Sequence, residues 1–103
     1  MNEDKIDDLA EALYHPEHLA DDLFEIAQVE DSDLDKLIEV AYEQVKQLVR
    51  ERVNGSNEQV VISSDKVANC GVELGDTLVD EIVEYINEMV ANCNYDLDDM
   101  LNG

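Results

Sequence analysis

Leu34, Leu37, Ile38, Ala41, Val45, Leu48 and Val49 recur every three or four residues. That spacing holds one face of a helix for about four turns. A stripe of this kind has to be laid against other apolar stripes, and the rest of the chain offers them. Ile6, Leu9, Ala10 and Leu13 keep the same spacing, as do Leu19, Leu23, Ile26 and Ala27 with Phe24 beside them. Leu78, Ile82, Val83, Ile86, Met89, Val90 and Cys93 form the last long stripe. The breaks between stripes use helix punctuation. Pro16 suits a first turn, Glu30-Asp31-Ser32-Asp33 supplies N-cap residues, and Asn54-Gly55 is a C-terminal stop.

The remaining segments are shorter. Gly55-Ser56-Asn57 reads as a loop, and Ser63 or Ser64 opens a short helix through Val67 and Ala68 that ends near Gly71. Asp76 is the expected cap of the last helix, and Tyr95 to Leu101 adds a turn or frays. Val60-Val61-Ile62 reads either as a short strand within residues 59–63 or as the start of a helix. No second strand-like run is available to pair with it, so a strand there requires a second copy of the chain. The expected fold is all-α: a compact bundle of four or five helices in a single acidic domain spanning residues 1–103.

Charge is what sets this bundle apart. The 103 residues include 27 Asp and Glu against 6 Lys and Arg, a formal net charge of −21. Self-repulsion at that imbalance works against a compact state. The 45% hydrophobic content separates the chain from a disordered acidic tail. The same charge excludes direct nucleic-acid binding through a basic patch and disfavours an anionic membrane surface. No apolar run approaches the roughly 18 residues of a membrane span. The acidic start Met1-Asn2-Glu3-Asp4-Lys5 is not followed by the apolar segment of a signal peptide. Cys70 and Cys93, the two cysteines, read as free thiols of a reducing, cytoplasmic compartment.

The acids are ordered. Residues 36–57 are close to neutral, and the segments on either side hold almost all the net charge. The central helix is therefore expected to be the scaffold, with its neighbours carrying acid outward. Asp4, Asp7, Asp8 and Glu11 form a stripe on the first helix. Glu17, Asp21 and Glu25, with Asp22 beside them, form a ladder on the second, and Asp80, Glu81, Glu84 and Glu88 form one on the last. Like charges at i, i+4 destabilise a helix by a few tenths of a kcal/mol per pair, which points to a use. A domain of this length is about 33 Å across, from a radius of gyration of about 13 Å. Duplex DNA of that length carries about 20 phosphate charges. The twelve acids named here are the expected contacts with a basic, nucleic-acid-binding protein.

Two segments strengthen that expectation. Leu19-Ala20-Asp21-Asp22-Leu23-Phe24 and Ala41-Tyr42-Glu43-Gln44-Val45, with the size and acid content of the chain, resemble the small acidic helical DNA mimics of bacteriophages. These are the overcome-classical-restriction and anti-CRISPR types. The resemblance implies a dimeric, all-helical decoy, phage-encoded and acting in the host bacterial cytoplasm, that occupies a DNA-binding groove. The long acidic C-terminal tail of the restriction inhibitor is missing here, and no residue carries over individually.

Other constellations are incomplete. Gly75-Asp76-Thr77-Leu78 is similar to the carrier motif of acyl carrier proteins, but Thr77 stands where the modified serine belongs. Asp31-x-Asp33-x-Asp35 begins like a calcium loop, yet Lys36 replaces the glycine of the sixth position and Tyr42 the final carboxylate. His15 and His18 flank Pro16 without a Cys or His pair to complete a zinc site. A helix-turn-helix within Ser64 to Ile82 is one residue short in spacing and too acidic for phosphate. No catalytic set is visible, so the chain reads as a non-enzyme without cofactor or metal. The leading expectation is a DNA-mimic inhibitor. The alternatives are an acidic adaptor or chaperone that docks on a basic protein without blocking nucleic acid, and a salt-adapted protein.

Overall fold

The computed structural model describes residues 3–102, and among them five helices account for all the regular structure. They are α1 (Glu3–Leu13), α2 (Pro16–Ala27), α3 (Asp31–Val53), α4 (Ser64–Ala68) and α5 (Asp76–Asn102). α3 packs against each of the other four, as the near-neutral charge of its sequence anticipates. Its buried stripe of Leu37, Ala41, Val45, Leu48 and Val49 meets Ile6, Ala10 and Leu13 of α1 and Leu19 and Leu23 of α2. Ile82, Ile86, Met89, Val90, Cys93 and Leu97 of α5 complete the core. The radius of gyration is 13.6 Å, so the charge does not prevent collapse.

Each boundary has a local cause. His15 is extended and its Nδ1 accepts the Glu17 N–H at 3.3 Å, so it caps α2 just before Pro16. α2 stops at Gln28, which adopts the left-handed conformation (φ 50°) and returns its N–H to the Phe24 carbonyl. Glu30, rather than Asp31 or Ser32, takes the cap position of α3, leaving Asp31 and Asp33 in the first turn. There the helix dipole favours their charge, and the run that begins like a calcium loop is therefore helical. At the other end Gly55 (φ 86°) donates to Arg52 O and Ser56 donates to Glu51 O. That pair of bonds is a Schellman closure and uses the glycine's freedom at positive φ.

One expectation is corrected and one open alternative is decided. Residues 59–63 form neither a strand nor the start of a helix in the single chain. Ile62 is buried, and the Asn87 side chain takes the place of a neighbouring strand. Asn87 Oδ1 accepts the Ile62 N–H at 2.8 Å and its Nδ2 donates to the Ile62 carbonyl at 3.4 Å. A single amide thus satisfies the backbone groups that a ladder would otherwise pair. Of the two alternatives for the C-terminal segment, an added turn or a frayed end, the structure shows added helix continuous with α5. α5 runs unbroken to Asn102 because Leu97 is fully buried and anchors its far half. Asp76 lies in the first turn of α5, while the Gly75 carbonyl accepts the Val79 N–H ahead of it. At 27 residues α5 is about 40 Å long, and it matches the 40 Å long axis of the molecule.

Candidate acidic docking surface

Four of the six cations, Lys36, Lys46, Arg50 and Arg52, bridge from α3 to other elements. Lys46 of α3 meets Asp7 Oδ1 of α1 at 3.1 Å, and Arg50 meets Glu3 at 3.2 Å and Glu43 at 3.0 Å. These contacts tie α1 to α3. They also raise the affinity of both groups for their protons, first through the hydrogen bonds to Asp7 and to Glu3. Arg52 donates to Asn94 Oδ1 of α5 at 2.8 Å and to the carbonyls of Ser56 and Glu58 at 3.0 and 2.9 Å. It thereby pins the loop after α3 onto α5. Lys36 reaches the Gly71 carbonyl at 3.3 Å. Nothing in the spacing of the cations marks these roles, since Asp7, Glu3, Gly71 and Asn94 are all remote in sequence from the cations they meet.

The predicted rows separate into two groups. Asp4, Asp8 and Glu11 on α1, Glu17, Asp21 and Glu25 on α2, and Asp80, Glu81, Glu84 and Glu88 on α5 are all exposed. The four α5 acids make no ion pair among the described residues. Asp7 and Asp22 are half-buried and engaged within the fold. Asp7 holds Lys46, and Asp22 accepts hydrogen bonds from the hydroxyls of Tyr14 and Tyr85, the latter at 2.8 Å. Asp22 therefore joins α2 to α5. Glu88 lines a hollow of about 270 Å³ together with Tyr14 and Tyr85, so the α5 row borders that junction.

The α5 row is longer than the sequence reading drew it. Tyr95 and Asp99 are exposed and continue the phase of Glu84 and Glu88, with the exposed Asp98 beside them and Tyr95, at 74%, the barest large hydrophobic side chain among the described residues. The signal was the i+7 and i+11 spacing from Glu88, which counts only if the helix is unbroken to its end. Phe24 is 49% exposed between Asp21 and Glu25, an aromatic ring on an acidic face.

The tyrosine cluster has a pH consequence. Burial, then hydrogen bonding and the Asp22 charge, push Tyr14 and Tyr85 above the ordinary phenol range, and burial with the Asp7 charge does so for Tyr42. A phenol whose pKa is raised on folding contributes stability that is intact below its unfolded pKa of about 10 and is lost as pH rises further. Lys46 has the same sign. Alkaline titration followed by phenolate absorbance is expected to show these three tyrosines ionising together with unfolding, above pH about 10. Smooth ionisation of all the tyrosines in a fully helical protein would contradict the cluster.

Metal and thiol chemistry find little support in this geometry. Among the described residues no three His, Cys, Asp or Glu side chains gather as a metal site. His15 and His18 stack edge to face with ring centres 6.4 Å apart. Both cysteines are free, and burial pushes the Cys93 thiol up to about 11. Among the described residues no helix is long and apolar enough to cross a membrane. Comparison with family models, curated proteins and solved structures returned no match. The functional reading therefore rests on the surface alone: ordered carboxylates, each able to accept from Lys or bidentately from Arg, along a 40 Å molecule.

Proposed function

We propose that the protein is a DNA-mimic inhibitor that occupies the basic nucleic-acid-binding groove of another protein, a defence or DNA-processing enzyme of a bacterial host. The observation that carries this reading is the division of charge. Lys46, Arg50 and Arg52 are engaged at internal seams, while ten row acids face solvent on α1, α2 and α5. Duplex DNA 40 Å long carries about 24 phosphate charges, against the −21 of this chain. Inhibition would be steric: the rows engage Lys and Arg in the groove and exclude the nucleic acid. Encounter would be fast and electrostatically steered.

Competition tests it. The immobilised protein is loaded with basic proteins from a bacterial lysate at low salt, and duplex DNA is then added. Nucleic-acid-binding proteins are expected to leave with the DNA, and their affinity for the immobilised protein is expected to fall steeply with salt. Retention of every captured protein in excess duplex would refute mimicry.

Phe24 favours a second reading. A half-exposed aromatic ring rimmed by Asp21 and Glu25 fits an adaptor or chaperone that docks through an apolar contact with acids around it. That reading requires a ternary complex in which the partner still holds DNA. It also requires a large loss of binding in Phe24→Ser and only a weak dependence of affinity on salt.

A further inference from the structure

The Val60-Val61-Ile62 run, strand-like in sequence, keeps one edge that the fold leaves unpaired. Residues 56–63 run without helix, turn or bend. In an extended chain, successive residues turn their N–H and C=O groups to opposite edges. Ile62 turns its pair toward Asn87 of α5, so Gln59 and Val61 turn theirs the other way. Gln59, Val60 and Val61 make no backbone hydrogen bond among the described residues.

The unpaired edge borders a hollow of about 430 Å³. Glu43, Gln44, Gln47 and Glu51 of α3 form one wall, residues 58–61 form the other, and Lys66 of α4 also lines it. Gln44 is the informative member. It is the one buried polar residue among those described, only 6% exposed, and its side chain makes no hydrogen bond among the described residues. The amide is not sealed in the core, and it opens into the hollow that Gln44 lines. A buried amide without a partner is destabilising, and a ligand carrying amides of its own would satisfy it.

Charge narrows the ligand further. Glu43 is already shared by Arg50 and Lys46, at 3.0 and 3.8 Å. Glu51 accepts from Gln47 at 2.9 Å and has no ion pair among the described residues, and neither has Glu58. Two uncompensated carboxylates therefore stand against the single ammonium of Lys66, on a chain of charge −21. A basic ligand suits this wall better than an acidic one.

We propose that this edge binds an extended peptide segment bearing Lys or Arg, added as a strand beside residues 59–61. The N–H groups of Gln59 and Val61 donate to the carbonyls of the peptide, and their carbonyls accept from its N–H groups. Across the hollow, the Gln44 amide does for the far edge of the peptide what Asn87 does for Ile62. The basic side chains meet Glu51 and Glu58. An unpaired backbone run and an unpartnered buried amide, remote from each other in sequence, thus share one ligand. The inference takes a basic partner from the reading above and adds that an extended arm of that partner is held through its backbone. None of the twelve row acids lines the hollow, so the two surfaces are separate.

Titration calorimetry of the full chain with a blocked hexapeptide of alternating lysine and valine tests the edge. A form N-methylated at every residue keeps the charge and loses the N–H groups, so it measures simple attraction to an acidic protein. The plain peptide is expected to bind with a Kd on the order of 0.1 mM, about tenfold more tightly than the methylated form. Val61→Pro removes an edge donor but no internal hydrogen bond, and proline favours extended backbone in the residue before it. It is expected to keep the helix content of the parent and to bind the plain peptide about tenfold more weakly. Gln44→Leu is expected to melt no lower than the parent and to bind about fivefold more weakly. It decides the matter if Val61→Pro fails to fold. The proposal is overturned if the plain peptide does not bind, if both peptides bind equally, or if the folded variants keep the parent affinity. Displacement of a captured protein by duplex DNA reads the acidic rows and peptide affinity reads this edge, so each can fail without the other.

Discussion

Replacing Asp80, Glu81, Glu84 and Glu88 together by their amides is expected to stabilise the fold and to remove most of its affinity for a basic partner. All four are exposed and none has an ion pair among the described residues. Asp80 with Glu84, and Glu84 with Glu88, are like charges at i, i+4, and Glu81 with Glu84 at i, i+3. Relieving such pairs returns about 1 kcal/mol in total. Asp80 and Glu81 near the start of α5 gain something from the helix dipole, which trims the benefit. The melting temperature is expected to rise by about 4 °C, the low end of the response of a domain this size. Binding moves the other way. Four exposed charge contacts at about 0.5 kcal/mol each lower affinity by about 30-fold.

The opposite signs make the experiment informative. A residue retained for folding loses stability when it is removed, whereas a residue retained for binding loses affinity without that loss. Asp7→Asn and Asp22→Asn provide the contrast, since these carboxylates hold Lys46 and the two tyrosine hydroxyls. Both are expected to lower the melting temperature and to leave affinity near that of the parent. If the four amides left partner affinity unchanged, the α5 row would have no part in binding. Melting curves and titration calorimetry against one captured partner separate the cases.

The bundle was legible because its evidence is local. The stripe from Leu34 to Val49, the Pro16 break and the Asn54-Gly55 stop each act within a turn or two of themselves. What was not legible depends on partners distant in the chain. Asp7 and Asp22 occupy the same acidic rows as their exposed neighbours, and only Lys46 and Tyr85 mark them as internal. Val60-Val61-Ile62 has the composition of a strand, and only Asn87 explains how Ile62 satisfies its backbone without one. The far half of α5 stayed open between an added turn and a frayed end because six of the eight residues from Cys93 to Met100 are not buried, and the burial of Leu97 is a tertiary fact. The acidic rows could be drawn from spacing alone, but which members face a partner could not.

Leu48→Ala is expected to leave the protein largely unfolded at low salt and folded at high salt. Leu48 is 1% exposed on the helix that every other helix packs against. Truncating such a leucine costs about 2–5 kcal/mol through lost burial and the cavity left behind. Small domains have only about 5–15 kcal/mol to lose. Self-repulsion at −21 places this one toward the lower end. At about 0.01 M salt the screening length is about 30 Å, comparable with the whole molecule, and the repulsion acts in full. At about 1 M it falls to about 3 Å, and the core deficit is opposed by far less charge. Circular dichroism across that range is expected to show helix recovering with salt in the variant, while the parent stays helical throughout. Val61→Ala, on a 58% exposed side chain, is expected to behave like the parent. A Leu48→Ala protein as stable as its parent would contradict the central place of α3. A parent that itself unfolds at low salt would favour salt adaptation over mimicry, because the acids would then be serving solvation in brine.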